Sequence, residues 1–363
     1  MLIYINYLDL NKVTCVGIKK KILAQCRALK KKFKEVYYTI YSGQMIYLLS
    51  EKDNILEKVF AITNDQCNKT IIGWMKKYNV ESVYIRYPLS DIWFIDFVKE
   101  LNDRHYKMVL EFPTIPYDEE GWIKRPEEDR YYREQLSQYV KYCTTYSNYE
   151  TVFNIPCIPL VNGVDINEQR EKKLRKKDDR IILLAVATCE KWHGYERVLQ
   201  GLHQFYVNGG KKNIFFNIVG TGTQLSYYQR IVNEFQLNDY VFFHGNLTGD
   251  KLDEIYDNSD IAIGSLGFYK IGLQSNAPIK LREYCARGIP FIYGYDDTSF
   301  GNENYFAYQV SNDATPVNIK EIIKFYEMMY DGKDFINDMR DYTLSKLTWD
   351  SILQPVIDYL IKK

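Results

Sequence analysis

Apolar and polar positions along the chain fall into two alternating series. In the first, short strand-like runs (residues 2–7, 35–41, 44–49, 82–87 and 107–111) take turns with longer amphipathic stretches (20–32, 66–78 and 92–103). The pattern restarts at Arg180. From there, strand-like runs at 181–187, 215–219, 240–244, 261–264 and 291–293 are separated by helix-like runs at 194–208, 223–236, 251–258 and 278–287. Strands and helices taking turns imply crossover connections and largely parallel sheets, so the fold class is α/β. Between the two series, Asn162-Gly163-Val164-Asp165 and the charged stretch 168–180 lack apolar periodicity and read as an interdomain connection. The predicted domains are 1–162 and 163–345. The tail 346–363 carries a final helix, read over 349–360, that is expected to cross back onto the first domain.

At 363 residues the chain exceeds one ordinary core and suits two domains with a cleft between them. Lys plus Arg and Asp plus Glu number 47 each, which removes the electrostatic argument for bulk nucleic-acid binding. The charge is unevenly placed, however. Eight basic residues and no acid lie between Lys19 and Lys34, interleaved with Ile22, Leu23, Ala24, Cys26, Leu29 and Phe33 at roughly helical spacing. This segment reads either as an ordinary first helix with a solvated basic face or as a basic amphipathic helix that touches an anionic membrane. Seven cysteines are scattered singly with no CxxC pair, which suggests neither a disulfide framework nor a zinc site, and a reducing compartment. Residues 1–6 enter a strand-like run without a signal pattern, and no apolar run approaches the roughly 18 residues of a membrane span. The expected location is cytoplasmic, with any membrane contact peripheral.

Three strand-to-helix turns concentrate the chemistry, because parallel sheets bind ligands where strand ends lead into helix N-termini. The segment 275–290 has Pro278 at the expected start of a helix of about ten residues, Gly288 just past its end and Pro290 opening the next strand. Lys280 and Glu283 then share one face. A cation beside the helix N-terminus suits a diphosphate, and a carboxylate one turn deeper suits vicinal ribose hydroxyls. An exposed Lys–Glu pair is the plain alternative. Gly220 and Gly222 end a strand before a helix, as a backbone approaching a ligand requires, or a tight turn alone. The turn at 187–197 gathers Lys191, His193 and Arg197. His244 ends another strand before Gly245, near the place of a nucleobase.

Taken in order, Trp192-His193-Gly194, Gly220-x-Gly222, His244-Gly245, residues 261–265 and Lys280…Glu283-Tyr284-x-Ala286-x-Gly288-x-Pro290 resemble the retaining GT-B glycosyltransferases, with two Rossmann-like domains facing each other across a cleft. The likeness is to family 4-like enzymes of bacterial surface and capsular polysaccharide assembly. It covers nearly the whole chain, since 111–118 and 162–165 also look like segments of such enzymes. The resemblance implies a nucleotide diphosphate-sugar donor, a glycan or lipid-linked acceptor, retention of configuration, and neither metal nor cofactor. It also implies that Glu283 holds the donor ribose. The first Glu of the family's Glu-x7-Glu pattern is replaced by Ser275, and Thr188 and His193 stand where its Arg-x4-Lys pair would be. Lys280, Lys191 and Arg197 remain as cations for the diphosphate.

In the first domain, the resemblance places residues 13–19 with Gly17 in the loop that approaches the diphosphate. Glu111 and Asp118, in a segment held extended by two prolines, are expected at the acceptor pocket. Arg86, at the end of the strand 82–87, reads as a structural salt bridge to Glu111 or as a substrate contact. The rival readings are a nucleotide-sugar epimerase on the same scaffold and a silent glycan- or nucleotide-binding protein.

Overall fold

The computed structural model describes residues 1–12, 15–113, 115, 126–146, 149–332 and 334–362. The chain divides into two compact units, Met1–Asn162 with Trp349–Lys363, and Gly163–Thr348.

The first unit contains the strands β1 (Leu2–Ile5), β2 (Val36–Ser42), β3 (Met45–Ser50), β4 (Ile55–Phe60), β5 (Ser82–Arg86), β6 (Lys107–Phe112), β7 (Tyr142–Thr145), β8 (Thr151–Val152) and β9 (Ile155–Pro159). They form one sheet in the order β4-β3-β2-β1-β5-β6-β7-β9-β8. The stretch from β2 to β9 is parallel, while β3, β4 and β8 add on antiparallel at the edges. Every residue of β1 is buried, because both faces of a parallel sheet are covered. Ile3 and Ile5 face a core shared with α2 (Asn64–Lys77) and α3 (Ile92–Asp103). Leu2 and Tyr4 face a core shared with α1 (Val16–Lys30). A further helix, α4, spans Pro126–Arg133.

The face covered by α1 also carries the end of the chain. Trp349, Val356, Ile357 and Leu360, from two helices at Trp349–Ile352 and Gln354–Ile361, and Leu353 between them join the same core as Ile22 and Leu29. The Ser82 hydroxyl donates to the Leu360 carbonyl at 3.0 Å.

The basic run is therefore a packed helix whose apolar face is spent in the core. Lys19 pairs with Asp53 at 2.8 Å, Lys30 with Glu35 at 2.9 Å, and Lys31 with Asp350. Lys21 is drawn inward, its ammonium 3.3 Å from the centre of the Tyr146 ring. Of the two readings of this segment, the structure fits the ordinary first helix with a solvated basic face, since Ile22, Ala24, Cys26 and Leu29 are buried in the core. Among the described residues, no helix is long and apolar enough to cross a membrane.

The second unit has six strands, β10 (Arg180–Val186), β11 (Asn213–Val219), β12 (Val241–Gly245), β13 (Ile261–Ile263), β14 (Phe291–Tyr293) and β15 (Ala307–Gln309). All are parallel, in the order β12-β11-β10-β13-β14-β15. Helices α5 (Glu196–Val207), α6 (Leu225–Glu234), α7 (Gly249–Asp257), α8 (Ile279–Arg287), α9 (Ile319–Met329) and α10 (Phe335–Tyr342) connect or follow them. The chain winds outward from β10 to β12, then returns to the other side of β10 at β13. That reversal leaves a crevice at the carboxyl ends of β10 and β13, where open α/β sheets take ligands.

Candidate active site

Helix α8 is delivered to this crevice by its own sequence. Pro278 is its N-cap, one position before the first helical residue where the sequence suggested it, and Gly288 closes it in the left-handed conformation at φ 75°. The Tyr284 hydroxyl accepts from the Val186 amide at 3.3 Å and donates to the Ile263 carbonyl at 3.2 Å, so it bridges the ends of β10 and β13. Arg282, fully buried, donates to Asp297 and to the Ser299 hydroxyl, and fastens α8 to the loop after β14. With Tyr284 and Arg282 inward, Lys280 and Glu283 occupy the partly open side of the helix.

Lys280 donates to the Tyr195 hydroxyl at 3.1 Å. Burial pushes its ammonium down to about 7, against the pull of Cys189 and Glu283 in the other direction. Tyr195 is itself fully buried and stacks on His193, ring centres 5.5 Å apart. His193 is buried, and desolvation followed by the nearby Lys280 pushes its imidazole down to about 2. It is neutral at physiological pH. Its Nδ1 accepts from the Glu190 amide at 3.0 Å, which assigns the remaining proton to Nε2. His193 is thus a neutral hydrogen-bond donor rather than a cation. The loop that carries it is zipped to the end of β13 by Leu266 N to His193 O at 2.8 Å and Gly267 N to Trp192 O at 3.1 Å.

The glycines of the next turn are required for a reason the sequence did not show. Gly220 has φ 125°, and a Cβ there would lie 1.8 Å from the Ala187 carbonyl oxygen. At Gly222, with φ 152°, a Cβ would lie 2.5 Å from the Cys189 oxygen. The close approach they permit is to the loop after β10, held by Cys189 N to Thr221 O at 2.8 Å.

The other predicted residues scatter. Lys191 is exposed at the start of a short 3₁₀ turn, and Ser275 is exposed in a bridge to Asp296. Arg197 is 1% exposed and donates to the carbonyls of Leu266, Ser311 and Thr315 at 2.7, 2.9 and 2.7 Å. Its guanidinium ties loops together and does not present a cation to solvent. His244 lies on β12, the edge strand, with Nε2 2.8 Å from Asn217 Oδ1.

In the first unit the structure moves two predictions. Gly17 is in the first turn of α1 rather than in a loop. Glu111 belongs to β6 and is fully buried, receiving Arg86 at 2.7 Å, the Tyr84 hydroxyl at 2.7 Å, Gln25 Nε2 at 3.2 Å and the Tyr4 hydroxyl at 3.3 Å. Burial alone would raise its carboxyl, but Lys21, Arg86 and the tyrosine hydroxyls outweigh it and hold the group below the usual carboxylate range. Glu111 is a structural hub, and Arg86, which pairs with it, also lines the pocket of this unit. Asp118 lies outside the described residues.

What the sequence missed in this unit is a pocket of about 510 Å³ at the carboxyl ends of β1 and β5, where its own strand order reverses. Tyr7, Tyr87 and Phe94 line one part, and Asn6, Asn68 and Asp91 another. Asn6 is 1% exposed and, among the described residues, its Oδ1 has no hydrogen-bond partner. Among the described residues, no group of three or more His, Cys, Asp or Glu side chains could hold a metal ion.

Comparison with known proteins agrees with this geometry. Residues 165–300 match the family model described as "Glycosyl transferases group 1". No protein of curated function matches the sequence. A glycosyltransferase structure from Rickettsia africae superposes with a TM-score of 0.67 at 14% identity, covering 100% of this chain and 98% of that one. Anabaena HepE in complex with UDP gives 0.65 at 11% identity, covering 99% of each chain. WaaG, a glycosyltransferase involved in lipopolysaccharide biosynthesis, gives 0.59 at 12% identity, covering 100% of each. The chain thus has the GT-B fold of two Rossmann-like units, the second of which carries a match to the group 1 glycosyl transferases over residues 165–300.

Proposed function

We propose that the protein is a retaining, metal-independent glycosyltransferase that moves a sugar from a nucleotide diphosphate-sugar to a hydroxyl acceptor in polysaccharide assembly. The observation that carries this reading is α8 itself. Tyr284 bridges the ends of β10 and β13, and Lys280 and Glu283 share the helix side left partly open. Glu283 accepts hydrogen bonds from the ribose hydroxyls of the donor. Lys280, the Nε2–H of His193 and the free amides at the start of α8 hold the diphosphate, with Lys191 as an outer cation. Negative charge grows on the diphosphate as the glycosidic bond breaks. Donors fixed in a partly desolvated site stabilise that charge more than water would. The leaving diphosphate takes the acceptor's proton on the face it departs from, so the configuration is kept.

The acceptor is a glycan or a lipid-linked intermediate, and the pocket beside Asn6 supports a place for one of its rings. Its volume falls in the usual ligand range, and its lining sets the rings of Tyr7, Tyr87 and Phe94 among polar side chains such as Asn64, Asn68 and Asp91. The UDP held by HepE and the lipopolysaccharide role of WaaG are consistent with the donor and pathway class. The reaction belongs to the cytoplasmic side of the cell membrane. Contact with anionic lipid there is electrostatic, through exposed Lys20, Lys32 and Lys34.

The test is Glu283→Ala, assayed for sugar transfer from a panel of nucleotide diphosphate sugars. Transfer should fall by two orders of magnitude or more with an unchanged circular dichroism spectrum. Unchanged transfer would sink the assignment of the site. Conversion of a donor to its epimer with no acceptor present, followed by NMR, would replace the transferase reading with an isomerase.

A further inference from the structure

Seven cysteines stand singly in the sequence, yet the sheet of the first unit brings two of them side by side. Cys143 on β7 and Cys157 on β9 are direct register partners on adjacent parallel strands. Strands in a sheet lie roughly 4.8 Å apart, within the 4.4–6.8 Å that a disulfide spans between Cα atoms. Register partners also project from the same face. Cys143 belongs to the core under α2 and α3, and Cys157 packs against that core. Their environments differ: Cys143 is 0% exposed, whereas Cys157 is partly open to solvent.

The Cys143 thiol donates to the Ile155 carbonyl at 3.5 Å and the Cys157 thiol to the Ile158 carbonyl at 3.8 Å. The neighbouring thiol lowers Cys157 from the ordinary thiol range and, with burial, raises Cys143. Cys157 therefore ionises first, on the side a small molecule can reach.

We propose that Cys143 and Cys157 are a redox-modification site that closes into a reversible disulfide on exposure to hydrogen peroxide. The Cys157 thiolate attacks the peroxide, the O–O bond breaks, and Cys157 becomes a sulfenic acid as hydroxide leaves. Cys143 then attacks the sulfenic sulfur, the S–S bond forms, and water leaves with the Cys143 proton. Two thiols are oxidised and one peroxide is reduced to two waters. A dithiol such as dithiothreitol reverses the step by exchange. A transient disulfide of this kind is compatible with a reducing compartment. β9 is the last strand of the first unit before the chain leaves it at Asn162, so the bond staples the exit strand to its neighbour.

The test maps thiols in the fully reduced, full-length protein after treatment with hydrogen peroxide and alkylation. Free thiols counted after denaturation should fall from seven to five. The peptides containing Cys143 and Cys157 should appear joined, and dithiothreitol should separate them. In Cys143→Ala, Cys157 should accumulate as a sulfenic acid that dimedone traps. Recovery of both residues as alkylated thiols, or of Cys157 as a sulfinic acid with Cys143 still free, overturns the proposal. If Cys143→Ala does not fold, the wild-type map decides alone.

Discussion

Replacing Glu111 by glutamine separates a structural hub from a reacting group. The substitution keeps the shape but removes the charge that faces Arg86 and Lys21, whose side chains are only 11% and 12% exposed. Breaking a buried ion pair from one side costs about 3–5 kcal/mol, because the remaining charge stays desolvated. The first unit has 162 + 15 = 177 residues, a size at which 1 kcal/mol shifts the melting temperature by roughly 2–4 °C. Glu111→Gln should therefore lower the melting transition of that unit by roughly 6–20 °C, read by differential scanning fluorimetry. Arg86→Gln should do likewise, and the double variant should lose less than the sum, since the two changes remove one interaction. The pH dependence has a definite sign. The folded carboxyl sits below its unfolded value of roughly 4.3, so its contribution is full above that pH and is lost as pH falls through the folded value. The variant should lack that part of the acid limb. A Glu111→Gln protein that melts with the wild type but has lost sugar transfer would refute the reasoning and return the carboxylate to the chemistry.

Two further outcomes follow from the second unit. Lys280 titrates at about 7, and a bound diphosphate would raise that value, so binding takes up a proton above neutrality. The affinity for a nucleoside diphosphate, measured by calorimetry, should weaken between pH 7 and 9 by a factor approaching ten per unit, and Lys280→Met should flatten the slope. Gly220→Ala places a side chain at φ 125° and against a carbonyl oxygen, so it should destabilise the second unit by more than 2 kcal/mol; a melting point equal to the wild type would show the turn to be softer than its geometry.

The strands and helices legible in the sequence are those with strong periods and a covered face. β1, β5 and β10 are apolar on both sides, and α8 carries its own end signals in Pro278 and Gly288. β4 was not read, because Ile55, Leu56, Val59 and Phe60 are all substantially exposed and the strand has no inward alternation. β9 contains Pro156 and Pro159, which argue against a strand, although it is paired on both sides. α9 carries a helical period, with Ile319, Ile322, Phe325, Tyr326 and Met329 on its buried face. At the site, Lys280 and Glu283 were legible because three residues on one helix fix a shared face. Tyr195 was not, since its bond to Lys280 spans 85 positions. Glu111 was legible as the end of a strand, but its partners were not, since Gln25, Tyr4 and Tyr84 reach it across 86, 107 and 27 positions.

The return of the chain's end to the first unit has a consequence for the order of events on the ribosome. Trp349, Leu353, Val356, Ile357 and Leu360 share a core with Tyr4, Tyr84 and Val109, so part of the layer over one face of that sheet is synthesised after the whole second unit. The second unit, contiguous from Gly163 to Thr348, has its whole core available before then. The first unit must wait, with that face of its sheet covered only in part by α1, for helices that follow the second unit. A nascent chain stalled near residue 340 would expose that face to chaperones, and cutting the gene after residue 162 would produce an open sheet in place of a domain.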